Sequence, residues 1–151
     1  MNLFLTLALI LPLHAAPPSA RDTQGQLISL AAGTLVVSWR LDDPASLEAL
    51  RVAEHAADTL DVPVLALNVD GAEARSRLLP YLRAHGCRMP TLSDSDGAWQ
   101  RQLQLSGTGM LVLGEDESVL ARIEAGSDLA ATRRALATAL GRPEPLLAAG
   151  R

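Results

Sequence analysis

The single cysteine of this chain lies in a short segment that alternates soft metal-ligand side chains. His85, Cys87 and Met89 follow one another at a spacing of two residues. In an extended segment, residues two apart face the same side of the backbone. An imidazole, a thiolate and a thioether would then point together, and that ligand set suits Cu(I). The spacing therefore makes these three residues a candidate copper site.

The same cysteine has two other interpretations. His85 and Arg88 flank it, and nearby cations lower the pKa of a thiol, so Cys87 is also a candidate reactive thiol. Alternatively, a free cysteine is often a small buried hydrophobe, and Met89 would fill a gap in a core. His85 would then end a helix, where a positive charge is favoured. The sequence leaves these interpretations open.

A second polar cluster lies where a buried strand runs into a helix. Residues 33–39 are typical of a strand, and the pattern that follows predicts a helix from Pro44 to about Leu60. Asp43 fits the N-cap position, with proline at the first helical position. Asp42 is expected beside it in solvent. A cation or amine site at the two aspartates would need further oxygen ligands, which the sequence does not place there.

Composition bounds the functional classes. The 151 residues suffice for one domain with a hydrophobic core, and the net charge is −4. All 13 basic side chains are arginine and are scattered along the chain, so the sequence predicts no basic patch and argues against nucleic acid as a partner. Phosphate-binding loops, complete calcium loops and nucleophile elbows are absent from the sequence, so no cofactor is expected.

Residues 1–20 are expected to precede the domain. Leu3 to Leu13 is an apolar run of signal-peptide length, and Ala15, Ala16 and Ala20 offer small residues for cleavage. The run is shorter than the roughly 20 residues that span a bilayer, although an uncleaved membrane anchor is the alternative. The sequence thus predicts export, to a bacterial periplasm, where disulfides form and the single cysteine has no partner within the chain.

Strand and helix signals alternate along residues 21–141, and residues 142–151 are expected to form a loose tail. An extended segment is predicted at 22–30 with a turn near Gly25. Pro80 predicts a kink or break in the second helix. The predicted strands are 35–39, 62–69, 89–92, 110–113 and 119–123, and the predicted helices are 44–60, 72–85, 97–105 and 128–140.

Several of these segments together resemble the TlpA/ResA-type family of exported thioredoxin-like proteins. The resemblance covers roughly residues 22–140, and it rests on the order and spacing of short motifs. It implies an α/β, thioredoxin-like fold with a central mixed β-sheet flanked by helices. The motifs are Asp22-x-x-Gly25 with Leu30, Leu35-Val36-Val37-Ser38-Trp39, Leu65 to Asp70, Met89-Pro90-Thr91-Leu92-Ser93-Asp94 with Gly97, and Leu105-Ser106-Gly107-Thr108-Gly109 before Met110 to Glu115.

The departures from this family concern its chemistry. Pro44 matches the proline of the family's Cys-x-Pro-Cys motif, but Asp42 and Ala45 stand at the two cysteine positions. Gly109 stands where the family has a cis-proline. Thiol–disulfide exchange needs an attacking and a resolving thiol, and neither is present at these positions. The resemblance therefore implies a degenerate member that is not a conventional thiol-disulfide oxidoreductase.

Three functional hypotheses follow from this interpretation. The favoured hypothesis is a non-catalytic peptide- or protein-binding factor, accessory to periplasmic thiol-redox chemistry or protein maturation. Its binding surface would comprise Asp42 to Pro44 and Thr108 to Met110, with Trp39 as a further candidate for lining a groove. The alternatives are single-cysteine redox chemistry through Cys87, or copper handling by the His85–Cys87–Met89 set.

Overall fold

The structure, a computed structural model, describes residues 20–28 and 30–143. The predicted signal segment, apart from Ala20, and the tail beyond residue 143 lie outside these residues. The strands are β1 Ala20–Arg21, β2 Leu27–Ile28, β3 Leu35–Trp39, β4 Val64–Asn68, β5 Thr91–Ser93, β6 Gly109–Leu113 and β7 Val119–Ile123. The helices are α1 Pro44–Leu60, α2 Arg75–Ala84, α3 Ala98–Leu103 and α4 Leu129–Ala139, with short 3₁₀ turns at Ala72–Ala74 and Glu115–Glu117.

Five of the strands form one mixed sheet in the order β5-β4-β3-β6-β7. The pairs β3–β4 and β4–β5 are parallel, whereas β3–β6 and β6–β7 are antiparallel. The short β1–β2 hairpin stands beside the β5 edge, where the Thr23 N–H donates to the Thr91 carbonyl at 2.9 Å. The predicted mixed sheet flanked by helices is therefore confirmed.

The central strand is apolar on both faces because helices cover both sides of the sheet. All five residues of β3 are buried. On one face, α1, α2 and α4 pack around Leu50, Leu78 and Leu136, all with 0 % exposure. On the other face, α3 contributes Trp99 and Leu103 to a second, smaller core. The fully buried leucines each contribute about 1.5–3 kcal/mol relative to remaining exposed.

Helix α1 begins and ends at local signals. The Asp43 carboxylate accepts the Ala45 N–H at 3.0 Å, and Pro44 occupies the first turn, where a missing N–H has no cost. The helix ends at Asp61, which adopts a left-handed conformation with φ of 50°. The face toward the sheet is rich in alanine, including Ala49, Ala53, Ala56 and Ala57, which allows a close approach to β3.

The sequence predicted a kink or a break at Pro80, and the predicted break does not occur. Residues 72–74 form a 3₁₀ turn, and α2 then runs from Arg75 to Ala84 through the proline. Pro80 and Ser76 are both exposed. In an uninterrupted helix the N–H at position 80 would donate to the Ser76 carbonyl, and proline has no N–H to donate. Because Ser76 is exposed, water can bond to this carbonyl instead, and the helix persists.

Candidate functional site

The N-terminus of α1 meets the loop that precedes β6. The two elements lie side by side because β6 pairs antiparallel with β3, with Ser38 opposite Gly109. The Thr108 hydroxyl donates to the Asp43 carboxylate, and it is also hydrogen-bonded to the Ser46 hydroxyl at 2.9 Å. We call this set, Asp43, Ser46 and Thr108, the polar latch. It joins the two positions that the sequence analysis assigned to one binding surface.

The polar latch is built around an ionised carboxylate. The Thr108 hydrogen bond, followed by the Ala45 N–H, lowers the pKa of Asp43 below its ordinary value, and a small desolvation effect opposes them. A carboxylate with a lowered pKa is a weak general base at neutral pH. Asp42 is more exposed still and forms an ion pair with Arg77 at 3.4 Å. An exposed pair of this kind contributes little to stability.

A second set of hydrogen bonds fixes the turn between β3 and α1. The Asp70 carboxylate accepts the Leu41 N–H at 2.8 Å and the Asn68 side-chain amide at 2.7 Å. The Ser46 hydroxyl accepts the Arg40 N–H at 2.9 Å. Both Asn68 and Ser46 are fully buried. These contacts fix the position of the two aspartates that follow the turn.

An open cleft lies on the other side of the Thr108 loop. The buried Ser38 hydroxyl donates to the Gly107 carbonyl at 2.7 Å and lies 3.2 Å from the Gly109 carbonyl, so it ties the loop to the central strand. The cleft encloses about 370 Å³ between this loop and the end of β7. Its walls combine apolar and polar side chains: Ser38, Gln104, Leu105, Ser106, Gly107, Thr108, Gly109, Met110, Arg122, Ile123, Glu124 and Ala125.

Two of the three predicted groove-lining residues contribute to this cleft, but Asp42 to Pro44, which were predicted to share one binding surface with them, do not line it. Thr108 and Met110 both contribute to its wall. The prediction for Trp39 is wrong, because its side chain has 0 % exposure and packs within the core. The Trp39 ring stacks on the Tyr81 ring at a centroid distance of 5.6 Å. A large apolar ring at the end of the central strand is covered by α2 and cannot reach the surface.

Several residues that hold this region in place were not predicted as site residues. Ser38, Ser46, Asn68 and Asp70 are the main examples. Their polar side chains stand at positions where the surrounding apolar pattern predicts burial. Because a buried polar group needs a hydrogen-bond partner, this pattern was the signal by which the sequence could have identified them. The identity of each partner depended on tertiary structure.

The assumption that residues 85–89 are extended is wrong. Gly86 adopts a left-handed conformation with φ of 72°. The Cys87 N–H donates to the Leu82 carbonyl at 3.0 Å, and the Gly86 N–H donates to the Arg83 carbonyl at 3.2 Å. This pair of bonds is a Schellman motif, which ends α2 and turns the chain. The two-residue alternation that predicted a copper site therefore does not apply.

The three candidate copper ligands accordingly have different surroundings. His85 is exposed, and its Nδ1 lies 2.9 Å from the Tyr81 carbonyl oxygen. Met89 is buried in the core, and Cys87 is half-buried against that core. Among residues 20–28 and 30–143, no cluster of three histidine, cysteine or acidic side chains could hold a metal ion.

The expected activation of Cys87 by His85 and Arg88 is also wrong in direction. Burial, with a further contribution from the Glu54 carboxylate, raises the pKa of the Cys87 thiol. Arg88 contacts Glu54 through its backbone, because its N–H donates to the Glu54 carboxylate at 3.2 Å. Glu54 lies ten residues along α1 from Pro44, about 15 Å at 1.5 Å per residue. The thiol therefore lies away from the polar latch, near the middle of α1 and not at its N-terminus.

The remaining predicted site residues lie where the strand–helix junction puts them. Pro44 and Ala45 form the exposed first turn of α1. Gly109 is the first residue of β6. Within the described part of the chain, no peptide bond is cis, and no helix is long and apolar enough to cross a bilayer.

No family model and no curated relative matches the sequence. Solved structures do match the fold. A putative thiol:disulfide interchange protein DsbE from Chlorobium tepidum is 15% identical, with a TM-score of 0.69 over 82% of this chain and 92% of that one. A secreted Mycobacterium tuberculosis disulfide oxidoreductase, homologous to E. coli DsbE, is 15% identical, with a TM-score of 0.64 over 80% and 94%. A thioredoxin-like protein from Aeropyrum pernix is 13% identical, with a TM-score of 0.62 over 80% and 88%.

These identities are too low to carry an activity, but the agreement over most of each chain is consistent with the strand order and the helix placement described above. The chain has the thioredoxin-like fold.

Proposed function

We propose that this chain is an exported, thioredoxin-like binding protein that does not catalyse thiol–disulfide exchange. It holds an extended segment of a protein partner in the cleft beside the Thr108 loop, as an accessory factor in thiol-redox chemistry or protein maturation. The observation that carries the proposal is the polar latch itself. Asp43 and Ser46 lie at the strand–helix junction, where the resembled family carries a redox dithiol, and Thr108 contacts both from the loop before β6.

The absence of a usable thiol supports the non-catalytic part of the proposal. The only cysteine, Cys87, is half-buried, and its pKa is raised. The thiolate is the nucleophile in disulfide exchange, so a raised pKa reduces the reactive fraction at neutral pH. The hydrogen bond between Thr108 and Asp43 does not supply another nucleophile in place of the thiolate, because Asp43 is too weak a base to activate the Thr108 hydroxyl.

The cleft supports the binding part of the proposal. It is open to solvent, and it carries both apolar side chains, such as Leu105 and Ile123, and polar ones, such as Gln104 and Glu124. Sites that bind a chain of mixed sequence combine apolar area with a few polar groups that fix orientation. Ser38 holds the loop in place before binding, which reduces the entropy lost when a partner is bound.

Export is part of the proposal and is supported by the apolar run Leu3 to Leu13. The structural matches include a protein described as secreted. The partner is proposed to be a protein or peptide, since two of the structural matches named above are described as a thiol:disulfide interchange protein and a disulfide oxidoreductase.

The experiment blocks the cleft without altering the fold. Gly109 lines the cleft at a non-positive φ, and a Cβ built there meets nothing closer than 4.0 Å. Gly109→Phe therefore adds bulk to the cleft wall without backbone strain. Ala130→Phe is the matched control, because Ala130 is an exposed residue of α4. The probe is fluorescein-labelled, fully reduced α-lactalbumin with carboxymethylated cysteines, followed by fluorescence anisotropy.

We expect the native protein and Ala130→Phe to bind the probe saturably, and Gly109→Phe to lose at least tenfold in affinity. Equal affinity of the two variants for the probe would show that the partner does not bind in the cleft. In parallel, the native protein should not accelerate reduction of insulin by dithiothreitol. Catalytic turnover in that assay would contradict the non-catalytic assignment.

A further inference from the structure

A second cavity lies at the end of the sheet opposite the polar latch. It encloses about 240 Å³ between the β1–β2 hairpin and the starts of the parallel strands β3, β4 and β5. The latch and the cleft lie at the other end of β3, whose five residues span about 16 Å at 3.3 Å per residue. We call this cavity the hairpin pocket. Most of its wall is apolar and consists of Ile28, Leu30, Pro63, Val64, Leu65 and Pro90.

The hairpin pocket has a nearly buried carboxylate in its wall. Asp22 lines the pocket and is 8 % exposed. Its Oδ1 accepts the Gln24 and Gln26 N–H groups, each at 2.8 Å, and these two bonds close the hairpin turn. Among the residues that the structure describes, none donates a hydrogen bond to Oδ2, and no cationic side chain pairs with the carboxylate. The turn therefore uses one oxygen of Asp22 and leaves its charge without a partner.

A hydroxyl in the same wall also lacks a partner. Thr34 lines the pocket just before β3 and is 4 % exposed. Its backbone N–H and carbonyl bond to Ala31 and Leu113, but its hydroxyl forms no hydrogen bond within residues 20–28 and 30–143. Buried polar side chains normally have a hydrogen-bond partner, and an unpaired buried charge is costly. A ligand that carries a positive charge and donates hydrogen bonds would satisfy both groups.

We propose that the hairpin pocket binds a primary alkylammonium group. The ammonium nitrogen donates to the Asp22 carboxylate and to the Thr34 hydroxyl, and the alkyl chain packs on the apolar wall. The pocket is smaller than the roughly 300–1,000 Å³ of sites for drug-sized molecules, so the group that enters it is small. This binding site is independent of the proposed function of the cleft.

The free atoms of the pocket favour an ammonium over other cations. A guanidinium binds a carboxylate best through both oxygens, and Oδ1 of Asp22 already accepts two N–H groups. A calcium ion takes about six to eight oxygen ligands, and Asp22 belongs to no metal-binding cluster of acidic, histidine or cysteine side chains in the described part of the chain. A compact ammonium needs one carboxylate oxygen and can donate a further bond to a hydroxyl.

The alkylammonium group comes from another kind of molecule. The sequence contains no lysine, so a second copy of the chain has no lysine side chain to offer. A free aliphatic amine and a lysine side chain of another protein both carry the required group. The experiment therefore includes one probe for each source.

The experiment titrates full-length ¹⁵N-labelled protein and follows its amide shifts by NMR. The probe is n-butylammonium, which matches the end of a lysine side chain, and 1-butanol is its uncharged counterpart of similar shape. The test variant, Asp22→Asn, keeps an oxygen to accept the two N–H groups of the turn but removes the charge. The matched control is Asp128→Asn. Asp128 is exposed, and its Oδ1 likewise accepts a backbone N–H, that of Ala131 at 2.7 Å.

We expect saturable butylammonium shifts in native protein and in the control, centred on residues 22–28, 34 and 63–65. Hydrogen bonds to charged groups are the stronger class, so 1-butanol should bind native protein about tenfold or more weakly than butylammonium. Asp22→Asn should lose butylammonium affinity by a similar factor. Thr34→Val removes the hydroxyl and keeps the shape of the side chain, and it should weaken butylammonium binding about two- to tenfold.

Equal affinity of native protein for butylammonium and 1-butanol would overturn the proposal, and this comparison needs no variant to fold. Unchanged butylammonium affinity in a folded Asp22→Asn, or no saturable shift at the pocket, would also overturn it. The peptide acetyl-Gly-Lys-Gly-amide separates the two sources. Binding as tight as that of butylammonium would assign the pocket to a lysine of a partner protein, whereas binding of butylammonium alone would assign it to a free amine.

Discussion

Replacing Ser38 by alanine removes the hydroxyl that ties the cleft loop to the central strand. Ser38 has 0 % exposure, and its Oγ lies 2.7 Å from the Gly107 carbonyl oxygen and 3.2 Å from that of Gly109. Alanine fits the same space but donates no hydrogen bond. The substitution therefore tests one contact with little change in packing.

The size of the effect follows from the hydrogen bonds that are lost. A typical hydrogen bond contributes a net 0.5–1.5 kcal/mol, and leaving a buried partner unsatisfied costs about 1–3 kcal/mol. Gly107 is half-buried, so water compensates in part. We expect Ser38→Ala to lower the free energy of unfolding by about 2 kcal/mol. For a protein of this size that corresponds to roughly 4–8 °C in Tm.

Urea denaturation measures the stability change, and amide hydrogen exchange locates it. Exchange should accelerate at residues 106–109 and remain unchanged in α1. Ser106→Ala is the control, because Ser106 is exposed in the same loop. The reasoning is refuted if Ser38→Ala unfolds within about 0.5 kcal/mol of native protein, the range of ordinary surface substitutions.

Three further predictions concern ionisable groups. Cys87 should alkylate with a midpoint above the free-thiol value of about 8.5, and Glu54→Gln should lower that midpoint, because the Glu54 carboxylate raises the thiol pKa; a midpoint below 8 would contradict this. The pKa of Asp43 is lowered on folding, so its stabilising effect is present above its unfolded pKa, near 4, and is lost as pH falls through the lower folded value. The difference in urea midpoint between native protein and Asp43→Asn should accordingly shrink from pH 7 to pH 3, and a constant difference would argue against this linkage. Asp94 is 2 % exposed and accepts the Trp99 and Gln100 N–H groups, so Asp94→Ala should destabilise by about 1–3 kcal/mol in urea denaturation; unchanged stability would mean that α3 needs no cap.

The parts of the fold that local signals determine were predictable from the sequence. Strand β3 and helix α1 have the predicted bounds because an apolar run, an aspartate cap and a proline act within a few residues of one another. The resemblance also placed the strand–helix junction and the Thr108 loop on one surface. Asp43 and Thr108 are 65 residues apart in the chain, and only the pairing of β3 with β6 brings their side chains into contact.

The errors arose where the conformation of one residue, or the packing of one helix, decided the outcome. Gly86 adopts a left-handed conformation that turns the chain, so His85, Cys87 and Met89 do not share a side. Trp39 has an aromatic ring at the end of a strand, but α2 covers it.

The central claim is that this thioredoxin-like chain binds a protein partner without using a thiol. The most direct test is an anisotropy titration of the cysteine-blocked α-lactalbumin probe with native protein and with Cys87→Ser. We expect saturable binding with the same affinity for both proteins, because the cleft lies away from the cysteine. No saturable binding by native protein, or binding that is lost in Cys87→Ser, would contradict it.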